Sequence, residues 1–365
     1  MRILVTGGAG FVGSHVAEYY ARQGQEVICY DNLSRADLLH RPINADYNWN
    51  YLKGFPEVKL INGDVRNLAK LKKAAEGVDV IVHTAAQTAV TTSLSDPQID
   101  FEVNALGTFN VLEAARLAGN DPVVIYCSTN KVYGENVNKV KVIEKETRYV
   151  FGADFQKGIG ESFSIDLCEH TPYGCSKLSG DLYVQEYGHL YNLRTGVFRM
   201  SCIYGPRQFG VEDQGWVAWF AIAIFLGWPI TIYGDGKQVR DVLYVDDLIR
   251  AFDLFINSNM KHEVFNIGGG PENTLSLLEL LELLENLTGR RSKIDFATWR
   301  PSDQRVYISD VSKANERLHW EPKIGPAEGV KRLVAWVKEN KGALTWLGSG
   351  CRSIKNFERE KNEEK

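Results

Sequence analysis

The chain has 365 residues, 44% hydrophobic and 24% charged, with a formal net charge of −4 at pH 7. That balance is ordinary for a globular protein and the length suits one large domain or two closely joined ones. The charge gives no basis for a nucleic-acid partner, and no apolar run is long enough to cross a membrane. The six cysteines (Cys29, Cys127, Cys168, Cys175, Cys202 and Cys351) form no C-x-x-C pair and no metal spacing. They predict reduced thiols and no metal. The chain runs straight into its first apolar strand, so no signal peptide is expected and the predicted location is cytoplasmic.

Ile3, Leu4 and Val5 form a short apolar run of the buried-strand kind. Gly7, Gly10 and Gly13 follow at three-residue spacing, and Val12, Val16, Ala17 and Tyr20 then recur at helical spacing. The predicted unit is strand, tight turn, helix. Glycines let the backbone approach a phosphate, and the helix start offers free N–H groups and a positive dipole end. A second apolar strand, 27–30, ends in Asp31. A carboxylate about twenty positions after such a turn grips a ribose 2′-hydroxyl and repels a 2′-phosphate, which predicts NAD over NADP. Arg35 slightly weakens that preference.

Residues 32–55 read as a loop with room for a short helix. Strands are expected at 58–62, 78–84, 123–128 and 193–199, and helices at 69–75, 98–118 and 173–191. Residues 135–170 read as irregular. This alternation predicts an α/β fold, a Rossmann-type doubly wound parallel sheet. The later part predicts helices at 216–226, 246–257 (capped by Asp246), 275–287 and 327–338, with strands at 230–233 and 264–267. The leucine stripe of 275–287 is taken as core. The expected division is an NAD-binding domain of 1–198 joined by about 236–267, and a smaller, discontinuous C-terminal substrate domain of 199–235 and 268–341. Residues 342–365 form a charged tail.

Tyr173 and Lys177 stand four apart, so they share one helix face. They open the helix that follows the strand ending in Ser128-Thr129. A hydroxyl, a phenol and an ammonium can then meet beside a nicotinamide. A phenol near pKa 10 needs roughly 3 units, or about 4 kcal/mol, to act as a base at pH 7. One unit charge about 4 Å away at an effective dielectric of 20 supplies roughly that much. His15 and His83 read as packed side chains. Trp216, Trp219 and Trp228 read as core or pocket wall, with Trp216, beside Gln214, the one placed to approach a base. Glu161 reads as a surface carboxylate in preference to one facing a sugar.

These residues together resemble the extended short-chain dehydrogenase/reductases, the group holding nucleotide-sugar epimerases and dehydratases. The resemblance rests on Thr6-Gly-Gly-Ala-Gly-Phe-Val-Gly13, Asp31-Asn32, Asp64-Val65, His83-Thr-Ala-Ala-Gln87, Asn104, Thr129 and Tyr173-Gly-Cys-Ser-Lys177. Tyr204-Gly-Pro206 and Arg240-Asp-Val-Leu-Tyr-Val-Asp-Asp247 extend it to about residue 340. Ser128-Thr-Asn-Lys-Val-Tyr-Gly134, Arg199-Met-Ser-Cys-Ile-Tyr-Gly-Pro-Arg-Gln-Phe-Gly210 and Glu212-Asp-Gln-Gly-Trp216 are most similar to the CDP-paratose (CDP-tyvelose) 2-epimerase branch.

The resemblance implies a tightly held NAD. Gly7, Gly10, Phe11, Val12 and Gly13 would hold its pyrophosphate, Asp31, Asn32, Ser34 and Arg35 its ribose, and Asp64 and Val65 its adenine. Ala85, Ala86, Gln87, Asn104 and Met200 would line the path to the nicotinamide. Thr129 would bond the sugar hydroxyl and Tyr173 take its proton, while Lys177 orients the cofactor ribose and lowers the phenol's pKa. Asn130, Ser201, Gln214, Arg240, Arg300 and Asp303 would bind a nucleotide sugar, CDP-linked by preference, the arginines clamping its diphosphate through their forked donors. Ser201 stands where many 4-epimerases carry asparagine. Asn130-Lys131 replace the Asp-Glu pair of the group's dehydratases, which removes the acid and base that elimination of water needs. The implied activity is epimerisation of a nucleotide sugar, at carbon 2 of CDP-paratose/CDP-tyvelose or, alternatively, as a UDP-sugar 4-epimerase. The implied assembly is a homodimer or homotetramer.

Overall fold

The computed structural model describes residues 1–38, 46–300 and 302–344. β1 (Arg2–Thr6), α1 (Phe11–Ala21) and β2 (Glu26–Asp31) form the opening unit that the glycine spacing predicts. The next stretch holds two short helices, α2 (Arg35–Leu38) and α3 (Tyr47–Leu52); residues 39–45, part of the expected loop, lie outside the described residues. Then come β3 (Val58–Asn62), α4 (Leu68–Ala75) and β4 (Val80–His83).

The single helix expected over 98–118 is broken into pieces. α5 (Val90–Ser95) precedes α6 (Pro97–Phe101), a π-helical turn covers Glu102–Leu106, and α7 (Gly107–Leu117) completes the run. Asp96 caps α6 by accepting the Ile99 N–H at 3.0 Å, and Pro97 occupies the first turn, where its missing N–H costs nothing. The π-turn adds a residue to the winding and carries Asn104, whose side chain is fully engaged by buried polar partners. Such turns recur where a side chain must be re-aimed at a site.

β5 (Val123–Thr129) is buried along its whole length. The stretch expected to be irregular contains a 3-10 segment, Asn130–Lys139, and a hairpin of β6 (Val142–Glu144) and β7 (Tyr149–Phe151). α8 (Pro172–Tyr191) starts from Thr171, whose hydroxyl accepts the Gly174 N–H. β8 (Thr195–Met200), β9 (Cys202–Tyr204), α9 (Trp216–Leu226), β10 (Ile230–Tyr233), β11 (Val239–Tyr244) and α10 (Val245–Ile256) follow. β12 (His262–Ile267), β13 (Thr274–Ser276), α11 (Leu277–Thr288), β14 (Ile294–Ala297), β15 (Val306–Tyr307), α12 (Ser312–Leu318) and α13 (Pro326–Glu339) come next among the described residues.

The main sheet is parallel throughout and runs β12-β8-β5-β4-β1-β2-β3. Strand order reverses between β1 and β4, and a doubly wound sheet binds its ligand at that switch point, beyond the carboxyl ends of the strands. One apolar core packs α1, α9, α10 and α13 on one face. A second, with α4, α7 and α8, covers the other. α9 is apolar all round and buried over Val217–Ile224, as a helix enclosed by protein must be. β11 anchors the C-terminal elements by pairing with β9, β13 and β15.

Three further expectations change. Asp246 does not cap α10: the N-cap is Tyr244, without a side-chain bond, and Asp246 lies in the first turn. Its neighbour Asp247 does the tethering, accepting the Lys323 and Ile324 N–H groups at 3.0 and 2.9 Å. Residue 342 does not begin the tail, since Leu344 is buried in the core; residues 345–365, with Cys351, lie outside the described residues. Glu161 is half-buried and accepts the Asn266 N–H at 2.7 Å, so it joins the loop before α8 to β12. Among the described residues no helix is long and apolar enough to cross a membrane.

His15 and His83 are packed, as expected. His83 is held between the Thr6 hydroxyl (2.7 Å) and the Thr108 hydroxyl (3.0 Å), and His15 bonds Phe11 O at 2.9 Å. Burial lowers the pKa of each to about 3, with the charges of Lys177 and Arg207 respectively adding to the effect. Both stay neutral in the fold, whereas in the unfolded chain they take up protons below about pH 6.5. The unfolded state binds more protons in that window, so stability falls as pH drops from about 6.5 toward 3, by roughly 1.4 kcal/mol per unit per histidine once below 6.5. His83→Gln is expected to shrink the slope of unfolding free energy between pH 5.5 and 4 by about that amount, read from urea titrations at fixed ionic strength. An unchanged slope would show that His83 titrates in the fold.

Candidate active site

A cavity of about 450 Å³ opens at the switch point. Its floor is the glycine turn. Gly7 has φ +72° and Gly10 N–H donates to Gly7 O at 2.9 Å, closing the turn tightly. A Cβ on Gly13 would meet Gly7 O at 2.2 Å, and one on Gly7 would meet Ala85 N at 2.6 Å, so neither position has room for a side chain. Gly10 offers α1 no side-chain cap. The N–H groups at the start of α1, beside Phe11 and Val12, therefore point a positive dipole end into the cavity.

The β2 end supplies the next wall. Asp31 accepts the Ala9 N–H at 3.0 Å and the Leu33 N–H at 2.7 Å, which fixes its carboxyl in the cavity. Burial raises its pKa and those two N–H groups oppose the rise. Asn32 donates to Asp64 at 2.8 Å and accepts from Ser34. Hydrogen bonds from Arg66 hold Asp64 down at about 2. Arg35 donates to Phe209 O (2.9 Å) and Gln214 Oε1 (3.0 Å), so its guanidinium is committed to the segment before α9 and is not turned to a 2′-phosphate. These residues fit NAD: an anion-ready helix start, a backbone cradle and a lone carboxylate at the ribose position.

The far wall is built from β5 and α8. Thr129, Tyr173 and Lys177 all line the cavity together with Met200. Burial pushes the Tyr173 phenol up to about 12, against a lowering hydrogen bond from Thr129. The Lys177 ammonium donates to Cys127 O at 2.6 Å and sits 4.3 Å from the Tyr126 ring centre; burial brings it down to about 8. The charges of Asp100 and Cys127 add to the rise of the phenol, so the lowering expected from Lys177 together with a positive nicotinamide has burial and both of these to oppose.

A second cavity, about 290 Å³, adjoins the first and shares Lys131, Asp213, Gln214, Gly215 and Trp216 with it. Arg240, Arg300 and Asp303 line this one. Arg240 pairs with Asp303 at 2.6 Å, and Arg300 pairs with Asp213 at 3.0 Å while lying 3.9 Å over the Tyr233 ring. An anionic ligand here would exchange places with the carboxylates. Asn130 and Ser201 lie on the first cavity, where the Ser201 hydroxyl is spent on Asp241 at 2.5 Å.

Residues 3–268 match the family model described as NAD dependent epimerase/dehydratase family. The chain belongs to that family. Its members take NAD, in keeping with the cradle described above. The chain is 41% identical to the CDP-paratose 2-epimerase of Salmonella typhi, over 92% of this chain and 99% of that protein. It is similar in structure to UDP-glucose 4-epimerase of Thermotoga maritima with UDP-glucose, at TM-score 0.76 and 31% identity over 93% of this chain and all of that one. The UDP-glucose 4-epimerase of Thermus thermophilus in complex with NAD gives TM-score 0.75 and 30% identity, again over 93% and all of the two chains.

One expected cofactor residue of this family member does not reach the cavity. Asn104 is buried behind it, accepting the Gln87 N–H (2.9 Å) and donating to Gln87 O (3.0 Å) and Asp100 (3.1 Å). Asp100 also accepts from Gln87 (2.8 Å) and Ser176 (2.5 Å). Asn104 thus sets the Gln87 loop and the start of α8 from behind. Sequence reasoning passed over this carboxylate, although its spacing of four from Asn104 was a signal. It also passed over Asp181, the next residue on the stripe of Tyr173 and Lys177. Asp181 is fully buried, receives two bonds from Arg199 at 2.9 and 3.0 Å, and accepts from Ser128 at 2.6 Å. Of the tryptophans, Trp219 is core and Trp216 lines both cavities.

Gly13→Ala should destabilise the fold by about 2 kcal/mol, because the added methyl meets backbone that cannot yield. The purified variant is expected to carry less NAD, measured by acid extraction and absorbance. Full occupancy with unchanged stability would contradict the geometry of the turn.

Proposed function

We propose that this chain epimerises a nucleotide sugar, at carbon 2 of a CDP-linked dideoxyhexose of the paratose/tyvelose kind. The observation that carries the reading is the meeting of Thr129 and Tyr173, at the end of one cavity, with a second cavity whose arginines suit a diphosphate. NAD, which the glycine turn and Asp31 would hold, would supply reversible hydride chemistry, so that a sugar carbinol could pass through a ketone and be reduced on its other face. Tyr173 takes the hydroxyl proton as the carbinol is oxidised and returns it after the sugar has turned. Thr129 holds the reacting oxygen and Lys177 orients the cofactor ribose and keeps positive charge near the phenol. The adjoining positions, Asn130 and Lys131, offer no carboxylic acid, which supports epimerisation over loss of water.

The substrate assignment is supported by the 41% identity to a CDP-paratose 2-epimerase across nearly the full length of both chains. A UDP-sugar 4-epimerase is the second reading, favoured by relatives such as the UDP-glucuronate 4-epimerase of Thermodesulfobacterium geofontis at 33% identity. On either reading, 1–198 with 236–267 forms the cofactor unit and 199–235 with 268–341 the sugar-nucleotide unit. Incubation with CDP-tyvelose, UDP-glucose and GDP-mannose, followed by NMR of product stereochemistry, decides between them; inversion at carbon 2 of the CDP sugar is expected. Tyr173→Phe should lose at least roughly 100-fold in turnover, the scale for removing a general acid–base. Unchanged turnover in that variant would overturn the assignment.

The exposed faces of α7 and α8 carry Leu117, Leu182, Tyr183, Leu190 and Tyr191. This supports a homodimer paired through these helices. Light scattering should give twice the chain mass for the wild type and a shift toward monomer for Leu182→Asp combined with Tyr183→Asp; a wild type that runs as a monomer would refute the pairing.

A further inference from the structure

The two cavities meet at Lys131, which lines both. It stands two residues beyond Thr129, and its backbone N–H donates to the Thr129 hydroxyl at 3.3 Å, so its backbone is tied to the group assigned to hold the reacting sugar oxygen. Among the described residues the ammonium makes one hydrogen bond, to Ser302 O at 3.3 Å, a long contact for a charged donor. An ammonium carries three N–H groups, so most of its donating capacity is unspent.

The neighbouring cations differ. Arg240 and Arg300 each hold a carboxylate, Asp303 and Asp213. Among the described residues Lys131 forms no ion pair within 4.0 Å. Burial lowers its pKa first and the positive Arg240 second. Lys131 is half-buried where the two cavities join, and anionic oxygen delivered between Lys131 and Arg240 would oppose both effects.

We propose that Lys131 holds the sugar-side phosphoryl oxygen of the nucleotide sugar and so selects which ring carbon faces Tyr173. The inference rests on the nucleotide-sugar reading above. In such a ligand the anomeric carbon bears the phosphate, carbon 2 is its direct neighbour, and carbon 4 lies across the ring. With the reacting hydroxyl on carbon 2, the phosphate comes to lie beside the residue that follows Thr129-Asn130. With the reacting hydroxyl on carbon 4, it is displaced by the width of the ring and the ammonium faces a sugar hydroxyl instead. Lys131 therefore rewards the first orientation.

Calorimetric titration of the NAD-loaded protein with CMP, CDP and CDP-glucose tests this in the wild type, Lys131→Met and Lys131→Arg. CMP lacks the second phosphate. Lys131→Met is expected to weaken CDP and CDP-glucose by about tenfold or more, the scale of a charged hydrogen bond, with CMP affinity and bound NAD unchanged. Lys131→Arg should recover most of the loss. Equal losses for CMP and CDP, or no loss for CDP, would overturn the proposal. If the wild type turns over no nucleotide sugar but the CDP-selective loss appears, the epimerase reading fails and the phosphoryl contact stands. If the wild type epimerises CDP-tyvelose and Lys131→Met does so with unchanged KM, this proposal fails alone.

Discussion

At the carboxyl ends of β1 and β4 the chain approaches itself so closely that a Cβ on Gly7 would stand 2.6 Å from Ala85 N, and one on Gly13 2.2 Å from Gly7 O. That contact forms the floor of the larger cavity. It places the start of α1, with its unsatisfied N–H groups, opposite the loop that leaves β4. The parallel sheet makes this possible because β1 and β4 are adjacent while their connections depart in opposite directions. Asp31, fixed by two backbone N–H groups, then stands at one end of the cavity and Tyr173 at the other.

Behind the cavity wall formed by Thr129 and Tyr173, two buried polar clusters hold α8 against the sheet. Asp181, Arg199 and Ser128 link the helix to β8 and β5. Asp100, Asn104, Gln87 and Ser176 link it to the π-turn and the loop after β4. Removing one partner of a buried ion pair such as Asp181–Arg199 typically costs about 3–5 kcal/mol, since the other charge is stranded. Such clusters give the phenol and the ammonium one position each, at the expense of burying both. Burial favours the uncharged form of each, raising the Tyr173 phenol to about 12 and lowering the Lys177 ammonium to about 8.

Most of the sheet was legible in the residues because buried parallel strands are short apolar runs and the helices between them keep a 3.6-residue period. The glycine turn and the Tyr173–Lys177 pair were legible for the same local reason: their chemistry is set by spacing along one element. What was missed is non-local. β11 was not foreseen, though it pairs with three strands drawn from 202–204, 274–276 and 306–307. The break of the 98–118 helix was not foreseen either, because its cause is the burial of Asn104 and Asp100 against Gln87 and Ser176, residues far apart in the chain.

By itself the sequence determined the winding of the sheet, the glycine turn at its switch point and the shared helix face of Tyr173 and Lys177, since each follows from periodicity or spacing within a single unit. Tertiary structure alone decided which groups are free to act. Asn104 proved to be a brace behind the cavity, Ser201 is spent on Asp241, Arg240 and Arg300 are paired with carboxylates, and Lys131 forms no ion pair among the described residues. The physical reason is that partnership between charged and polar groups depends on distance in space, and burial decides its strength; neither is carried by any short stretch of chain.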